Sequence, residues 1–569
     1  MTSTRVTTFA GIRPAISDRL LDSRFATVAH NTRLTNGELR PFKSPRVVAS
    51  GSTERNTIFL APDMNGECNG LIAMDLCASI VVPSRTACAG FALLAVFPIE
   101  GDPFFMDPQT NDRYRLGVRG PRTRVMVSQP IAVLGADVRT RAGLDYRVYT
   151  YTWVDELGIE SPPAPASEPI VAHDTDHVRL TRFDTPPPNA RFVRIYRTGA
   201  KSDEDAASEN LIVDTQFQLV EEVPISEIDG GYTDTRRLVE LTFGTLMTTE
   251  ACLPPDGMDG VIATDSGFYV GYLGNTIFIS ERHEVWNWPA SQRIELPDRV
   301  TGIAETGDVI YVATTGSPAR IKLALKQDEL LGEQDLVLET EIVRSDAFYP
   351  GVGARSMTAT GFGAVYVSPV GLIGLQPTGG PVNMTRDLIG ETQWSDYAPS
   401  LIVWQQGRLY GCSPHKPTGL IVNMRTDAEG EPDLGDVITT SMQGHALHAG
   451  RDGRVYYANG STVFRWDDGD ELLPWVWRSK RFVNRRRVRY AAGKIVADYS
   501  RPILFTLYKF DDAGARHKSF ERQVRSGEPF RLRGGARVTD YMYEMRGGGS
   551  VQELHIASSM VELAEGEDL

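Results

Sequence analysis

The chain has 569 residues and carries 59 Lys and Arg against 73 Asp and Glu, a formal net charge of −14. A hydrophobic fraction of 41% supports several packed cores and excludes a mainly disordered chain. The acidic balance argues against a general nucleic-acid coat, and at about 150 residues per domain the length gives roughly four domains.

With 53 Gly, 34 Pro and no collagen-like period, the composition favours short strands joined by turns. Met1–Ala10 is polar and Thr-rich and lacks the apolar core of a secretory signal. A helix is expected next, because Leu21, Phe25 and Ala29 recur at i, i+4 and i+8 behind Ser17 as a possible N-cap. Asn36-Gly37 then sits between RLT and ELRPF, a hairpin-turn signal. Residues 63–125 hold short apolar runs broken by Pro83, Pro98, Pro103 and Pro108. Within them AGFALLAVFP (89–98) is too short for a bilayer span of about 20 residues, so a buried strand is expected.

Residues 126–247 read as a β-sandwich. DYRVYTYTW (145–153) is rich in aromatic and β-branched residues. Alternation puts Arg147, Tyr149, Tyr151 and Trp153 on one face, the expected core side. GIESPPAPASEP (158–169) supplies turns and a Pro run that suits a sheet edge. Strands are expected at Phe192–Tyr196 and Phe217–Val223, with KSDEDAASEN (201–210) as a polar exposed hairpin tip between them.

Residues 248–474 contain a repeat. An apolar-Tyr step recurs at Phe268-Tyr269, Ile310-Tyr311, Val365-Tyr366, Leu409-Tyr410 and Val455-Tyr456, with Tyr-to-Tyr spacings of 42, 55, 44 and 46 residues. Each step follows a Gly-containing turn and precedes a second short strand: NTIFIS, ARIKLA, GLIGLQ, GLIVNM and STVFRW. Strand-turn-strand units at this period predict β-propeller blades, which must stack because one blade cannot cover both its faces. Five blades are visible, and residues nearer the N-terminus are expected to complete a sixth.

Residues 475–569 are strand-rich, with strands expected at 503–510, 529–534, 540–547 and 551–563. This region holds 18 Lys and Arg against 12 Asp and Glu, net +6, which leaves −20 on the rest of the chain. Most of the excess lies in WRSKRFVNRRRVRYAAGK (477–494), which has no acidic residue. Arg478, Lys480, Arg481, Arg485, Arg486, Arg487 and Arg489 are the candidate assembly interface. Three roles compete for the run: a solvated strand pair, a contact with an acidic protein surface, and contact with passing DNA. Arginine dominates, which favours bidentate pairing with carboxylates.

Motifs that carry catalysis or ligand binding are missing. Gly493-Lys494 lacks the spacing of a P-loop, and GVGARS (351–356) is expected to open no helix. No Gly-x-Ser-x-Gly elbow exists. HDTDH (173–177) offers two histidines, an incomplete metal set, and a solvated sandwich loop is expected there. His445 and His448 are expected between strands, without a metal. Trp286 and Trp288 suit packing between a blade edge and its neighbour better than a sugar platform. The five cysteines (68, 77, 88, 252 and 412) are odd in number and form no Cys-x-x-Cys pair, so buried free thiols are expected. No cofactor, metal or enzymatic activity is expected.

Several separated motifs, in order, resemble the tail nozzle (tail tube-tip) proteins of short-tailed bacteriophages. RLLDSRFATVAHNTRLTNGELRPFKSP (19–45) is similar to their N-terminal pattern at Ala26, Ala29, Asn31, Leu34, Gly37, Leu39 and Pro41. YTYTWVDELGIESPPAPAS (149–167) and FVRIYRTG (192–199) resemble their inserted sandwich. IFISERHEVWNWP (277–289) resembles the first-blade signature. GAVYVSPVGLIGL (363–375), with Thr385, Leu388, Gln393-Trp394 and Pro399, resembles a later blade. WVWRSKRF (475–482) and VQELHIASSMVEL (551–563) resemble the C-terminal signatures, while residues 63–125 show few family-like positions.

The resemblance implies a structural virion protein at the tail tip, assembled in the host cytoplasm. It implies a homo-oligomer, a hexamer, that docks to the tail adaptor protein and the tail fibres. Genomic DNA would pass through its channel without specific binding, which an acidic lumen would help. No membrane span is expected. The alternative is a propeller protein that binds or cleaves host surface glycan.

The expected fold is all-β and multi-domain: a β-propeller with an inserted fibronectin-like β-sandwich and a C-terminal strand-rich domain. The expected boundaries are 1–62 for an N-terminal segment packing on the propeller or platform and 63–125 for a connecting region. The sandwich follows at 126–247, the blades at 248–474 and the C-terminal β domain at 475–569.

Overall fold

The computed structural model describes residues 3–62, 68–83, 93–128, 131, 144–198, 200–201, 216–241, 252–327, 334–426, 432–532 and 537–565. The fold is all-β and divides into two compact units. One comprises Met1–Ala61, Cys68–Ala78 and Pro297–Leu569, the other Pro62–Glu67 and Ser79–Leu296.

In the first unit four antiparallel sheets of propeller type follow one another. The first runs Val300–Thr306, Val309–Thr314, Ala319–Gln327, Gln334–Ile342, and the second Met357–Thr360, Gly363–Ser368, Gly371–Leu375, Val382–Asn383. The third runs Leu401–Gln405, Arg408–Cys412, Gly419–Thr426, Pro432–Thr440. The fourth takes Ala446–Ala449, Val455–Asn459 and Thr462–Arg465, and Arg46–Ser50 from the N-terminal segment supplies its last strand. The first strands of successive sheets lie side by side, as blades do. Ile402 N–H donates to the Arg355 carbonyl at 3.1 Å, and Trp404 N–H donates to the Thr358 hydroxyl at 3.3 Å.

The tyrosine of every apolar-Tyr step falls on the second strand of its sheet, and every following apolar run on the third. The tyrosines are buried because the two-residue period of a strand turns them into the layer between sheets. The Tyr366 hydroxyl donates to the Tyr349 carbonyl at 2.7 Å, which satisfies its polar end.

The third sheet continues beyond its blade. Its outer strand is joined in parallel by Ala26–His30, and then come Trp475–Ser479, Val538–Gly547, Ile503–Phe510 and Arg516–Val524. A six-stranded sheet weaves the N-terminal Thr4–Val6 and the Thr32–Pro41 hairpin against Val551–Ala557. Asn36 and Gly37 turn that hairpin with φ of 56° and 80°, the left-handed pair that a two-residue turn needs. Trp475, Trp477, Phe505 and Tyr543 are fully buried in the resulting core.

The second unit has two further four-stranded sheets, one from Ala78–Val81, Leu94–Pro98, Phe104–Met106 and Arg113–Arg115. The other is Gly260–Ala263, Tyr269–Leu273, Thr276–Ile279 and Arg293–Glu295. Between them in sequence lies the sandwich. Its Tyr149–Asp155, Ala190–Arg197 and Gln218–Pro224 sheet packs on Met126–Val127, Val178–Thr181 and Tyr232–Asp234. Tyr149, Tyr151 and Trp153 form its core. The Pro-rich run lies along the open edge of Tyr149–Asp155, where Ser161, Ala164 and Ser167 donate to the carbonyls of Trp153, Tyr151 and Tyr149. Prolines fit between these donors because an edge needs few of them.

Several expectations are corrected. Residues 17–25 form turns, not a helix, and Ala26–His30 is a strand. Leu21 and Phe25 instead close a small cluster with Ala10, while Ala26 and Ala29 join the main core. The 551–563 segment is a strand only to Ala557, after which Met560–Glu565 is helical. HDTDH is a tight turn in which Asp176 N–H donates to the His173 carbonyl and Asp176 Oδ2 accepts from His173 N–H. His448 lies on a strand, buried, and accepts from Leu60 N–H at 3.2 Å. Burial lowers its pKa to about 4. Among the described cysteines Cys412 is buried, Cys252 half-buried and Cys77 exposed. The buried strand expected within 89–98 is present as Leu94–Pro98. Residues 84–92 and 202–215, with most of the expected 201–210 tip, lie outside the described residues.

Candidate assembly interface

The structure separates the seven basic residues of the 478–489 run into two groups. Trp475–Ser479 and Phe482–Val488 both pair with Val538–Gly547, which brings two acidic residues opposite the start of the run. Arg478 holds Glu544 at 2.5 Å, and Arg546 holds the other oxygen at 2.6 Å. Burial pushes the Glu544 pKa up, but hydrogen bonds from Arg546 and Arg478 outweigh it, and the carboxyl stays below its ordinary range. Arg481 holds Asp540 at 2.5 Å, with its guanidinium 4.0 Å above the Phe510 ring. Lys480 donates to the Leu21 carbonyl. Arg478 and Arg481 tie strands of the C-terminal sheet to one another, and Lys480 ties that sheet to the N-terminal segment, which removes all three from the candidate interface.

Arg485, Arg486, Arg487 and Arg489 differ. Val483 pairs with Asp540, and the next registered pair is Val488 with Val538. Asn484, Arg485, Arg486 and Arg487 therefore stand opposite the single residue Thr539. Such a bulge lifts the extra residues out of the ladder. Asn484 is turned inward, where its Oδ1 accepts from the Tyr490 hydroxyl at 3.3 Å. The three arginines after it are exposed. Arg487 has one long, open pairing, 4.0 Å to the fully exposed Asp512, which is worth little in water. Among the described residues Arg485, Arg486 and Arg489 have no carboxylate within reach.

The bulge thus presents guanidiniums that, among the described residues, no internal acid holds closely. Their fork geometry suits bidentate capture of carboxylates on another surface. Sequence reasoning found the run but not its division. The deciding acids, Asp540 and Glu544, are about 60 residues further on and meet the arginines only through strand register.

Elsewhere the described residues hold no group of three or more His, Cys, Asp or Glu placed for a metal. Trp288 is buried, donates from Nε1 to the Val285 carbonyl at 2.8 Å and packs edge-on to Phe97. It is a core residue and not a sugar platform. Among the described residues no helix is long and apolar enough to cross a membrane.

No protein-family model and no curated protein matches the chain. Among solved structures it is similar to a streptogramin B lyase, at 12% identity over 52% of this chain and 90% of that one, with a TM-score of 0.23. It is also similar to a glycoside hydrolase, at 10% identity over 77% and 99%, TM-score 0.13. An exo-beta-1,3-galactanase from Phanerochaete chrysosporium matches at 9% identity over 90% and 100%, TM-score 0.16. Likenesses this low carry no argument about activity, and the propeller-type sheets stand on their own strand register.

Proposed function

We propose that the chain is a structural subunit of a short-tailed phage virion: a ring-forming tail nozzle that makes the distal DNA-ejection channel and docks to the adaptor and tail fibres. The observation that supports this best is the arginine bulge at 485–487, built outward on a sheet, where among the described residues Arg485 and Arg486 have no carboxylate partner and Arg487 has only its long, open pairing with Asp512. A sheet-borne cationic projection on an acidic chain is suited to recognising another protein surface. The motifs that resemble the nozzle family are also structural features here. The Asn36-Gly37 hairpin pairs with the C-terminal sheet, and the 149–167 segment is a sandwich strand with its edge cover. The 363–375 segment is the middle hairpin of a blade. The work of such a subunit is assembly, with no chemical step.

Negative-stain images of the purified chain, alone and with the tail adaptor, test the proposal. A ring with an axial hole and no turnover of host glycan is expected. A monomer that cleaves surface glycan would replace this reading with the enzymatic one.

A further inference from the structure

Two long strand edges in the first unit carry opposite charge. Of its four propeller-type sheets, two have short outer strands, Val382–Asn383 and Arg46–Ser50, and two have outer strands of nine residues. Short edges are a common way to avoid unwanted pairing, whereas a long open edge is a template for another strand. One nine-residue edge, Pro432–Thr440, is covered from within. His30 pairs with Thr439, and Ile12 N–H donates to the Val437 carbonyl at 2.8 Å. A side chain at Gly11 would meet that same carbonyl at 2.3 Å, so the cover depends on a glycine. The other edge, Gln334–Ile342, pairs among the described residues only inward, with Ala319–Gln327. The far edge of the ten-stranded sheet, Arg516–Val524, is also nine residues long and, among the described residues, pairs only with Ile503–Phe510.

We infer that copies of this chain join edge to edge, the Gln334–Ile342 strand of one adding to the Arg516–Val524 strand of the next. Glu339 and Glu341 are exposed on the first edge and, two apart, share a face. Glu341 takes an ion pair from Arg320 yet stays 65% exposed. Arg516, Lys518 and Arg522 are exposed on the second edge beside a single acid, Glu521, which pairs with Lys518 at 3.1 Å, so the strand stays net basic. The arginine bulge extends this basic band, since Arg487 faces Asp512 in the turn that leads into Arg516–Val524. Like charge keeps two copies of the same edge apart, while the unlike edges attract, so the charges select the mixed pairing over both self-pairings. Main-chain hydrogen bonds then supply the contact, as in strand addition to any open sheet. Because the joined edges differ, the contact is heterologous, the type that closes into a ring when the rotation allows.

This inference rests on the ring reading of the proposed function. The test uses the full chain in sedimentation and in hydrogen exchange. Wild type is expected to assemble at low salt, with amides of 334–342 and 516–524 exchanging about tenfold or more slowly than in the high-salt monomer. Glu339→Lys with Glu341→Lys, or Arg516→Glu with Lys518→Glu and Arg522→Glu, should each weaken association by about tenfold. The chain carrying both sets should recover it to within a few-fold of wild type. Circular dichroism and continued protection of the Cys412 thiol show that each variant is folded. A wild-type ring whose two edges exchange as fast as in the monomer overturns the pairing and leaves the ring reading standing, as do block variants that assemble normally. A wild type that stays monomeric at every salt concentration, both alone and with the adaptor, overturns both.

Discussion

Asp234 is the residue whose loss should damage the sandwich most. It is fully buried and accepts from the Tyr149 hydroxyl at 2.7 Å and from Arg197 Nη1 at 2.5 Å, while Arg147 Nη1 lies 3.9 Å away. Its other oxygen takes the Arg236 N–H at 2.9 Å. Both arginines are also fully buried. Arg147 is further served by the carbonyls of His173, Asp174 and Asp176. Arg197 depends on Asp234, since its Nε and Nη2 find no partner among the described residues. Asp234→Asn therefore leaves a buried guanidinium without its counter-charge, a loss of about 3–5 kcal/mol. Hydrogen exchange on the full chain should show it locally: amides of 149–155 and 190–197 should exchange roughly 10²- to 10⁴-fold faster. Arg197→Met combined with Asp234→Asn should recover much of the loss, because the stranded charge goes with its partner. If Asp234→Asn alone leaves exchange unchanged, the cluster does not hold the sandwich and the reasoning fails.

Three further outcomes are expected. Reversing Arg485, Arg486 and Arg487 to Glu should leave the monomer folded and weaken assembly, and wild-type assembly should itself weaken with salt; normal assembly of the triple variant at every salt concentration would mean that the bulge is only solvated, and normal assembly with a changed rate of DNA ejection would point to DNA contact. Asp155 has its pKa raised to about 6, first by burial, even though Oδ1 accepts from Leu157 and Ile159 N–H at 2.9 Å each. A raised carboxyl stabilises the fold while protonated, and that stability is lost as pH climbs from about 4 to about 6, at roughly 1.4 kcal/mol per unit. Asp155→Asn keeps both hydrogen bonds without ionising, so it should match wild type at pH 4 and exceed it at pH 7 in denaturant melts; a pH-independent difference would contradict this. Burial pushes the Cys412 thiol up to about 12, whereas Cys77 is exposed, so iodoacetamide at neutral pH should modify Cys77 and spare Cys412, as peptide mass mapping can show.

What the sequence revealed follows how local each signal is. The blade strands were legible because an alternating apolar pattern and a Gly turn lie within about ten residues of each other. The Asn36-Gly37 hairpin was legible for the same reason. The 17–29 segment misled because Leu21, Phe25 and Ala29 fit a helical spacing, yet Asn31 N–H and the Ala26–His30 strand are claimed by partners more than 400 residues away. Tertiary pairing overrode local periodicity there. Alternation put Arg147 on the aromatic face of its strand, correctly, but its counter-charge is Asp234, which no local pattern reveals. The basic run shows the same limit. Arg478 and Arg481 look like Arg485 and Arg486 until the Val538–Gly547 strand supplies Glu544 and Asp540 to the first pair and passes under the bulge of the second.

The central claim is a closed ring of identical subunits held partly by charge. The mass of the assembled protein at low salt, alone and with the adaptor, tests it most directly. Six times the 62.8 kDa chain, dissociating to single chains as salt rises, is the expected result. A mass of one chain under all these conditions would contradict it.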